Sequence, residues 1–105
     1  MVATLEDTLG EDILLMDIQE ISSFADYFVF CSGTSDRMIM ALANALREDA
    51  KKKFGIITQP EGEAQDGWMV VDLGDVVVHI FSPDQREYYD LEGLWEQGKV
   101  LLRLQ

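Results

Sequence analysis

The stretch that decides the fold runs from Trp68 to Phe81 and reads Trp-Met-Val-Val-Asp-Leu-Gly-Asp-Val-Val-Val-His-Ile-Phe. Gly74 and Asp75 separate two runs rich in β-branched residues. A glycine at the first central position favours a two-residue type II′ turn, so the sequence predicts an antiparallel β-hairpin. Counting outward from the turn predicts the cross-strand pairs Leu73–Val76, Val71–Val78 and Met69–Ile80.

The two faces of this hairpin differ in chemistry, because successive side chains of a strand point to opposite sides. The face formed by the predicted pairs is wholly apolar and is expected to pack on the core. The opposite face consists of Trp68, Val70, Asp72, Val77, His79 and Phe81. Burying Asp72 and His79 without partners would cost free energy, so we predict that this second face docks on another molecule.

Alternating strand and helix patterns surround the hairpin. Apolar runs at Ile13–Ile18 and Tyr27–Ser32 predict interior strands of a covered sheet. Ser35 is expected to cap a helix with an apolar stripe that ends at Gly55. A capping-box start at Ser82 predicts a second helix through about Tyr89. The predicted fold class is α/β, a single-domain mixed β-sheet with its α-helices packed on the apolar face of the hairpin.

Other segments give weaker patterns. Ile56 and Ile57 suggest a short strand, and Glu61–Gly67 is polar and contains glycine, which is typical of a loop. Arg86 and Asp90 are spaced as an exposed helix pair. Val100–Leu104 is too apolar to extend freely into solvent, and its pattern leaves both helix and strand open.

Composition narrows the range of functions. The chain has 105 residues, 48% of them apolar, and a formal net charge of −12, which fits one domain with one core. Such a charge argues against direct phosphate binding and favours a basic partner. A single cysteine, Cys31, lies in an apolar run, so we expect a buried, inert thiol and neither a disulfide nor a thiolate metal site.

The hairpin sequence also carries a resemblance. The run from Trp68 to Phe81 resembles the hallmark of the ribosomal silencing factor family, also called the Iojap family. Ser22–Phe28 followed by Cys31–Arg37 is similar to the first motif of that family, and Glu61-Gly62 precedes the tryptophan as it does there. Tyr89–Glu92 with Leu94-Trp95 resembles the closing motif. These pieces cover about residues 12–95 in the family's order.

The resemblance implies a single ribosomal-silencing-factor-like domain over residues 1–105, with a nucleotidyltransferase-like fold but no enzymatic role and no cofactor. It implies a translation repressor that binds the large ribosomal subunit through ribosomal protein fourteen and sterically blocks association with the small subunit. It also allows a homodimer of the free protein. The expected partner-binding residues are Trp68, Val70, Asp72, Val77, His79, Tyr89 and Asp90.

The amino terminus bears on localisation. Glu6, Asp7, Glu11 and Asp12 stand where a signal peptide would be apolar, and no segment approaches the length of a membrane span. We therefore expect a cytoplasmic protein, or the mature part of an organellar one, that binds neither membranes nor specific nucleic-acid sequences. The family usually has a longer helix ahead of the first strand, whereas here only Met1 to Gly10 remain for it.

Two chemical alternatives remain open. Gly33-Thr34-Ser35 lies between a strand and a helix, where backbone amides can hold a phosphate. The alternative function is therefore a nucleotide-binding or nucleotidyltransferase-type enzyme, although Asp72 and Asp75 do not share a strand face as magnesium ligands would. The second alternative is that His79 acts as an acid or base with Asp72, because both lie on the second hairpin face. No nucleophile or metal ligand is placed beside them to use such a pair. Trp68 itself suits either the core or an interface.

Overall fold

A computed structural model describes residues 2–104. The helices are α1 (Val2–Asp7), α2 (Asp36–Phe54), α3 (Pro83–Tyr89) and α4 (Leu91–Leu94). The strands are β1 (Glu11–Asp17), β2 (Tyr27–Ser32), β3 (Glu61–Glu63), β4 (Trp68–Asp72), β5 (Val76–Phe81) and β6 (Lys99–Leu104). No helix within this part of the chain is long and apolar enough to cross a membrane.

The six strands form one sheet in the order β3-β4-β5-β2-β1-β6. The β2–β5 pair is parallel and the other pairs are antiparallel, which confirms the predicted mixed sheet. The chain passes from β2 to its parallel neighbour β5 through α2, β3 and β4, because parallel strands need a crossover connection. The two predicted interior strands are β1 and β2, and each has neighbours on both sides.

The hairpin has the predicted register. Met69 pairs with Ile80 and Val71 with Val78, and the Leu73 amide donates to the Val76 carbonyl at 2.8 Å. The turn glycine, Gly74, has a φ of +90°, a conformation that side chains with a Cβ rarely adopt. The residues of the turn therefore determine the conformation of the hairpin.

Helix α2 also begins and ends as predicted. The Ser35 hydroxyl accepts a hydrogen bond from the Met38 amide at 3.1 Å, and Gly55 ends the helix with a φ of +66°. The buried stripe faces the apolar side of the hairpin; its residues are Ile39, Leu42, Ala43, Leu46 and Ala50. This main core confirms that α2 covers the face that carries Met69 and Val71, where α1 joins it. The second predicted helix, α3, instead places Tyr89 against Trp68 on the other face, so its predicted position is wrong.

The opposite face of the sheet differs from the prediction, because it is largely covered and forms a second core. Val77, His79 and Phe81 are 8%, 7% and 1% exposed. Leu91 and Trp95, from α4 and the residue after it, pack against this face. The prediction that this whole hairpin face is open for docking is therefore wrong, and only its margin reaches the surface.

Three further segments differ from or complete the prediction. The proposed strand at Ile56-Ile57 is wrong, since both lie in irregular backbone and Ile57 is 86% exposed. The predicted loop Glu61–Gly67 instead contains β3, whose pairing with β4 depends on backbone contacts that polar side chains do not signal. The carboxyl-terminal segment is the edge strand β6, paired with β1.

Candidate docking surface

The exposed margin of the second face is aromatic. The half-buried indole of Trp68 stacks on Phe81 with ring centroids 4.9 Å apart and contacts Tyr89 at 4.7 Å. Tyr88 packs edge-on against Tyr89 at 5.1 Å, and these two tyrosines are 79% and 45% exposed. We call Trp68, Val70, Tyr88 and Tyr89 the aromatic rim. Aromatic side chains in such a position are typical of binding surfaces.

Carboxylates border the aromatic rim on two sides. In the β3–β4 ladder Glu63 is paired with Trp68 and Glu61 with Val70, and paired side chains point to the same face. Helix α3 and its end supply the other border, with exposed Asp84, Glu87 and Asp90. Residues 60–98 contain ten Asp and Glu but a single Arg, which is buried. The rim therefore lies in a strongly negative surface.

The structure separates the seven predicted site residues into three groups. Trp68, Val70, Tyr89 and Asp90 reach the surface, while Val77 and His79 are buried beneath it. Asp72 is exposed but stands at the other end of β4 from the indole, about 13 Å along the strand. Its Oδ1 accepts a hydrogen bond from the Gly74 amide at 2.9 Å, so it stabilises the hairpin turn.

His79 bonds to the indole of Trp68 and not to Asp72. The Trp68 Nε1–H donates to His79 Nδ1 at 3.3 Å. Burial lowers the pKa of His79 to about 4, so its ring is neutral near pH 7 and its Nδ1 is free to accept. Among the described residues, the one hydrogen bond to this ring comes from Trp68, so the suggested pairing with Asp72 is wrong.

Arg86 is a residue whose role the sequence did not reveal. The predicted Arg86–Asp90 helix pair is wrong because Asp90, with a φ of +45°, ends α3. Arg86 turns inward, is 8% exposed, and donates to the Asp12 carbonyl at 2.6 Å and the Ser32 hydroxyl at 2.9 Å. It also forms an ion pair with Glu92. Through these contacts Arg86 holds α3 and α4 against β1 and β2. It thereby also stabilises the position of the two tyrosines of the aromatic rim, which lie on α3.

The Gly33 loop has a structural reason for its glycine. A Cβ at Gly33 would lie 2.8 Å from Cγ1 of Ile39, so the glycine allows the loop to pack on α2. The loop adjoins the Phe81 end of β5, whereas Asp72 and Asp75 lie at the other end, about 20 Å away along six residues. Within residues 2–104 no group of three or more His, Cys, Asp or Glu could hold a metal ion.

Cys31 is expected to resist alkylation in the folded protein. Its side chain is fully buried, and burial raises the pKa of the thiol to about 11, so little thiolate forms near neutral pH. We expect iodoacetamide at pH 8 to leave the native protein unmodified and to label it rapidly in urea, as mass spectrometry would show. Equal labelling in both states would contradict this placement of Cys31.

The fold and the surface define a small acidic α/β domain built on a mixed six-stranded sheet. The sequence model of the family described as ribosomal silencing factor during starvation matches residues 1–104. The chain belongs to the ribosomal silencing factor family, and the resemblance carried by the hairpin and its flanking motifs is confirmed.

Three relatives show how close the match is. The ribosomal silencing factor RsfS of Bacillus subtilis is 44% identical over 93 residues, which cover 89% of this chain and 79% of that protein. A crystal structure of a Chromobacterium violaceum protein superposes with a TM-score of 0.85 at 38% identity, covering 90% of this chain and 79% of the other. The mouse protein named mitochondrial assembly of ribosomal large subunit protein 1 is 34% identical over 98 residues, covering 90% of this chain and 43% of the mouse protein.

Proposed function

We propose that this protein represses translation by binding the large ribosomal subunit through ribosomal protein fourteen, which keeps the small subunit from joining. Family membership supports a role in ribosome silencing. The name of the mouse relative, which refers to assembly of the large ribosomal subunit, supports that subunit as the target. The action is stoichiometric and not enzymatic: one bound copy silences one large subunit.

The observation that carries this proposal is the aromatic rim with its acidic border. Trp68 and Tyr89 are residue types that often dominate binding energy when they enter a pocket on a partner. The surrounding carboxylates, together with a net charge of −12, complement the basic surface of a ribosomal protein and speed encounter with it. Ribosomal RNA alone would be repelled by the same charges.

The block itself is steric. The protein measures about 33 × 32 × 23 Å, which is large compared with the closely fitted contacts between two ribosomal subunits. The aromatic rim lies at one margin of the sheet, and α2 covers the opposite face. A copy bound through the rim would keep the α2 side of its body away from the partner, where its bulk can obstruct the small subunit.

Co-sedimentation with purified large subunits tests the docking step. We expect the protein to pellet with large subunits and to stay in the supernatant with small subunits. Binding to isolated ribosomal protein fourteen should weaken as salt rises from 50 to 200 mM, because the acidic border loses its attraction when screened. Binding to large subunits but not to protein fourteen would show that another component is the partner.

Two further proposals follow from this role. The protein works where ribosomes are, in the cytoplasm or inside an organelle. A homodimer of the free protein would cover the apolar part of the aromatic rim and dissociate when protein fourteen binds. Light scattering of the free protein, and of an equimolar mixture with protein fourteen, would show whether such a dimer exists and whether the partner dissociates it.

A further inference from the structure

We infer that His79 is a positioning residue, which holds the indole of Trp68 in the orientation that docks while not touching the partner itself. This inference deepens the proposed function and rests on it for the role of Trp68. It gives a role to the buried imidazole, which has no catalytic task in the proposed function and does not reach the surface to contact a partner directly.

Strand geometry places the two rings together. Trp68 is paired with Phe81, and His79 with Val70, in the β4–β5 ladder. Trp68 and His79 are therefore diagonal neighbours on one face, a separation that large side chains can span. The indole Nε1–H points back under the aromatic rim and donates to His79 Nδ1 at 3.3 Å.

The imidazole is itself held in place. Its ring lies nearly parallel to that of Phe30, with centroids 5.4 Å apart and an interplanar angle of 17°. Phe28 packs edge-on against it at 5.0 Å. Enclosed in this way, the acceptor Nδ1 has a fixed position, and a donor bonded to it is fixed as well. Without the acceptor, only packing against Phe81 and Tyr89 holds the half-exposed indole, so other rotamers become more accessible to it.

The histidine is a costly choice for a core position. When Nδ1 accepts from the indole of Trp68, the proton of the neutral ring sits on Nε2. That Nε2 is buried and has no hydrogen-bond partner among the described residues, which lowers stability relative to an apolar ring of similar shape. The benefit of His79 therefore lies in its one hydrogen bond, and that bond goes to Trp68, the tryptophan of the aromatic rim.

Positioning raises affinity without adding a contact. A side chain already held in its bound rotamer loses less conformational freedom when the partner closes over it. The gain is expressed only in binding, so loss of His79 should weaken docking and leave folding intact. A purely structural histidine would show the reverse pattern, with stability lost and the exchange behaviour of the indole unchanged.

Two variants separate these roles. His79→Phe keeps an aromatic ring but removes the acceptor, whereas His79→Asn offers an amide oxygen close to the Nδ1 position. We expect His79→Phe to be at least as resistant to urea as the wild type, to bind large subunits about tenfold more weakly, and to expose the Trp68 indole N–H to faster hydrogen exchange. We expect His79→Asn to restore part of both the slow exchange and the affinity.

A measurement on the unaltered protein keeps the inference testable if either variant folds poorly. In a ¹⁵N-labelled sample, a coupling across the hydrogen bond between Trp68 Nε1 and His79 Nδ1 is expected, with the His79 proton on Nε2. The indole signal is assigned by its loss in Trp68→Phe. A His79 tautomer protonated on Nδ1, or an indole exchange rate that His79→Phe leaves unchanged, would overturn the inference. Failure of the wild type to bind large subunits, with the coupling present, would instead overturn the proposed function.

Discussion

Trp68→Ala is expected to lower the affinity for the large subunit about 100-fold, the largest effect of any single change on the aromatic rim. The indole contacts Phe81 and Tyr89, so its removal both deletes an anchor and removes a ring that supports Tyr89. The measurement is co-sedimentation over a range of protein concentrations. Circular dichroism at the assay temperature checks that the variant remains folded.

Phe54→Ala is the matched control for this change. Phe54 is also a large aromatic residue, 60% exposed, but it ends α2, the helix that packs on the other face of the sheet. We expect Phe54→Ala to bind as the wild type does. Wild-type affinity in Trp68→Ala, or equal losses in both variants, would show that the aromatic rim is not the docking surface.

Arg86→Ala is expected to reduce the free energy of unfolding by about 3–5 kcal/mol, because it leaves a partly buried carboxylate and other polar groups without their partner. The groups left behind are the Ser32 hydroxyl, the Asp12 carbonyl and the Glu92 carboxylate. Glu92 keeps only its longer ion pair with Arg103, at 3.9 Å. Such a loss is a large fraction of the stability of a small domain. Urea unfolding followed by circular dichroism measures it.

An exposed arginine provides the comparison for Arg86. Arg47 lies on the solvent side of α2, and Arg47→Ala should change stability by no more than about 0.5 kcal/mol. A similarly small effect for Arg86→Ala would contradict the anchoring role. If anchoring is correct, a folded but weakened variant such as Arg86→Lys should also expose the Tyr88 and Tyr89 segment to faster amide exchange.

Elements with local determinants were predictable from the sequence. The hairpin followed from Gly74 and its flanking β-branched runs, and α2 followed from the Ser35 cap, its apolar stripe and Gly55. In each case residues close in the sequence determine the conformation, and the tertiary contacts agree with that local preference. The short helix α3 followed in the same way from Ser82 and Pro83.

Elements that depend on distant contacts were not predictable. Arg86 meets Asp12 across 74 residues of sequence, and β6 pairs with the first strand of the chain. No local pattern indicates either partner. The strand β2 is apolar on both faces, since Phe28 and Phe30 alternate with Val29 and Cys31. This pattern predicted a covered sheet, although the prediction did not extend to the second face of the hairpin. That pattern points to a second core, and hence to a covered face beneath the aromatic rim.

The site prediction assumed that a polar group on a sheet face needs an outside partner, and this assumption is wrong for His79 and Asp72. His79 finds its partner within the protein, in the indole of Trp68. Asp72 finds its own in the hairpin turn. The residues that border the rim, Glu61 and Glu63, came from a segment predicted as loop, so their alignment with Val70 and Trp68 became visible only in the β3–β4 pairing.

The most direct test of the central claim is the rate and extent of subunit joining, followed by light scattering after purified small and large subunits are mixed. Large subunits preincubated with an equimolar amount of the wild-type protein are expected to stay separate. Those preincubated with Trp68→Ala are expected to join as untreated subunits do. Unimpeded joining of large subunits that demonstrably carry the wild-type protein would contradict the steric account.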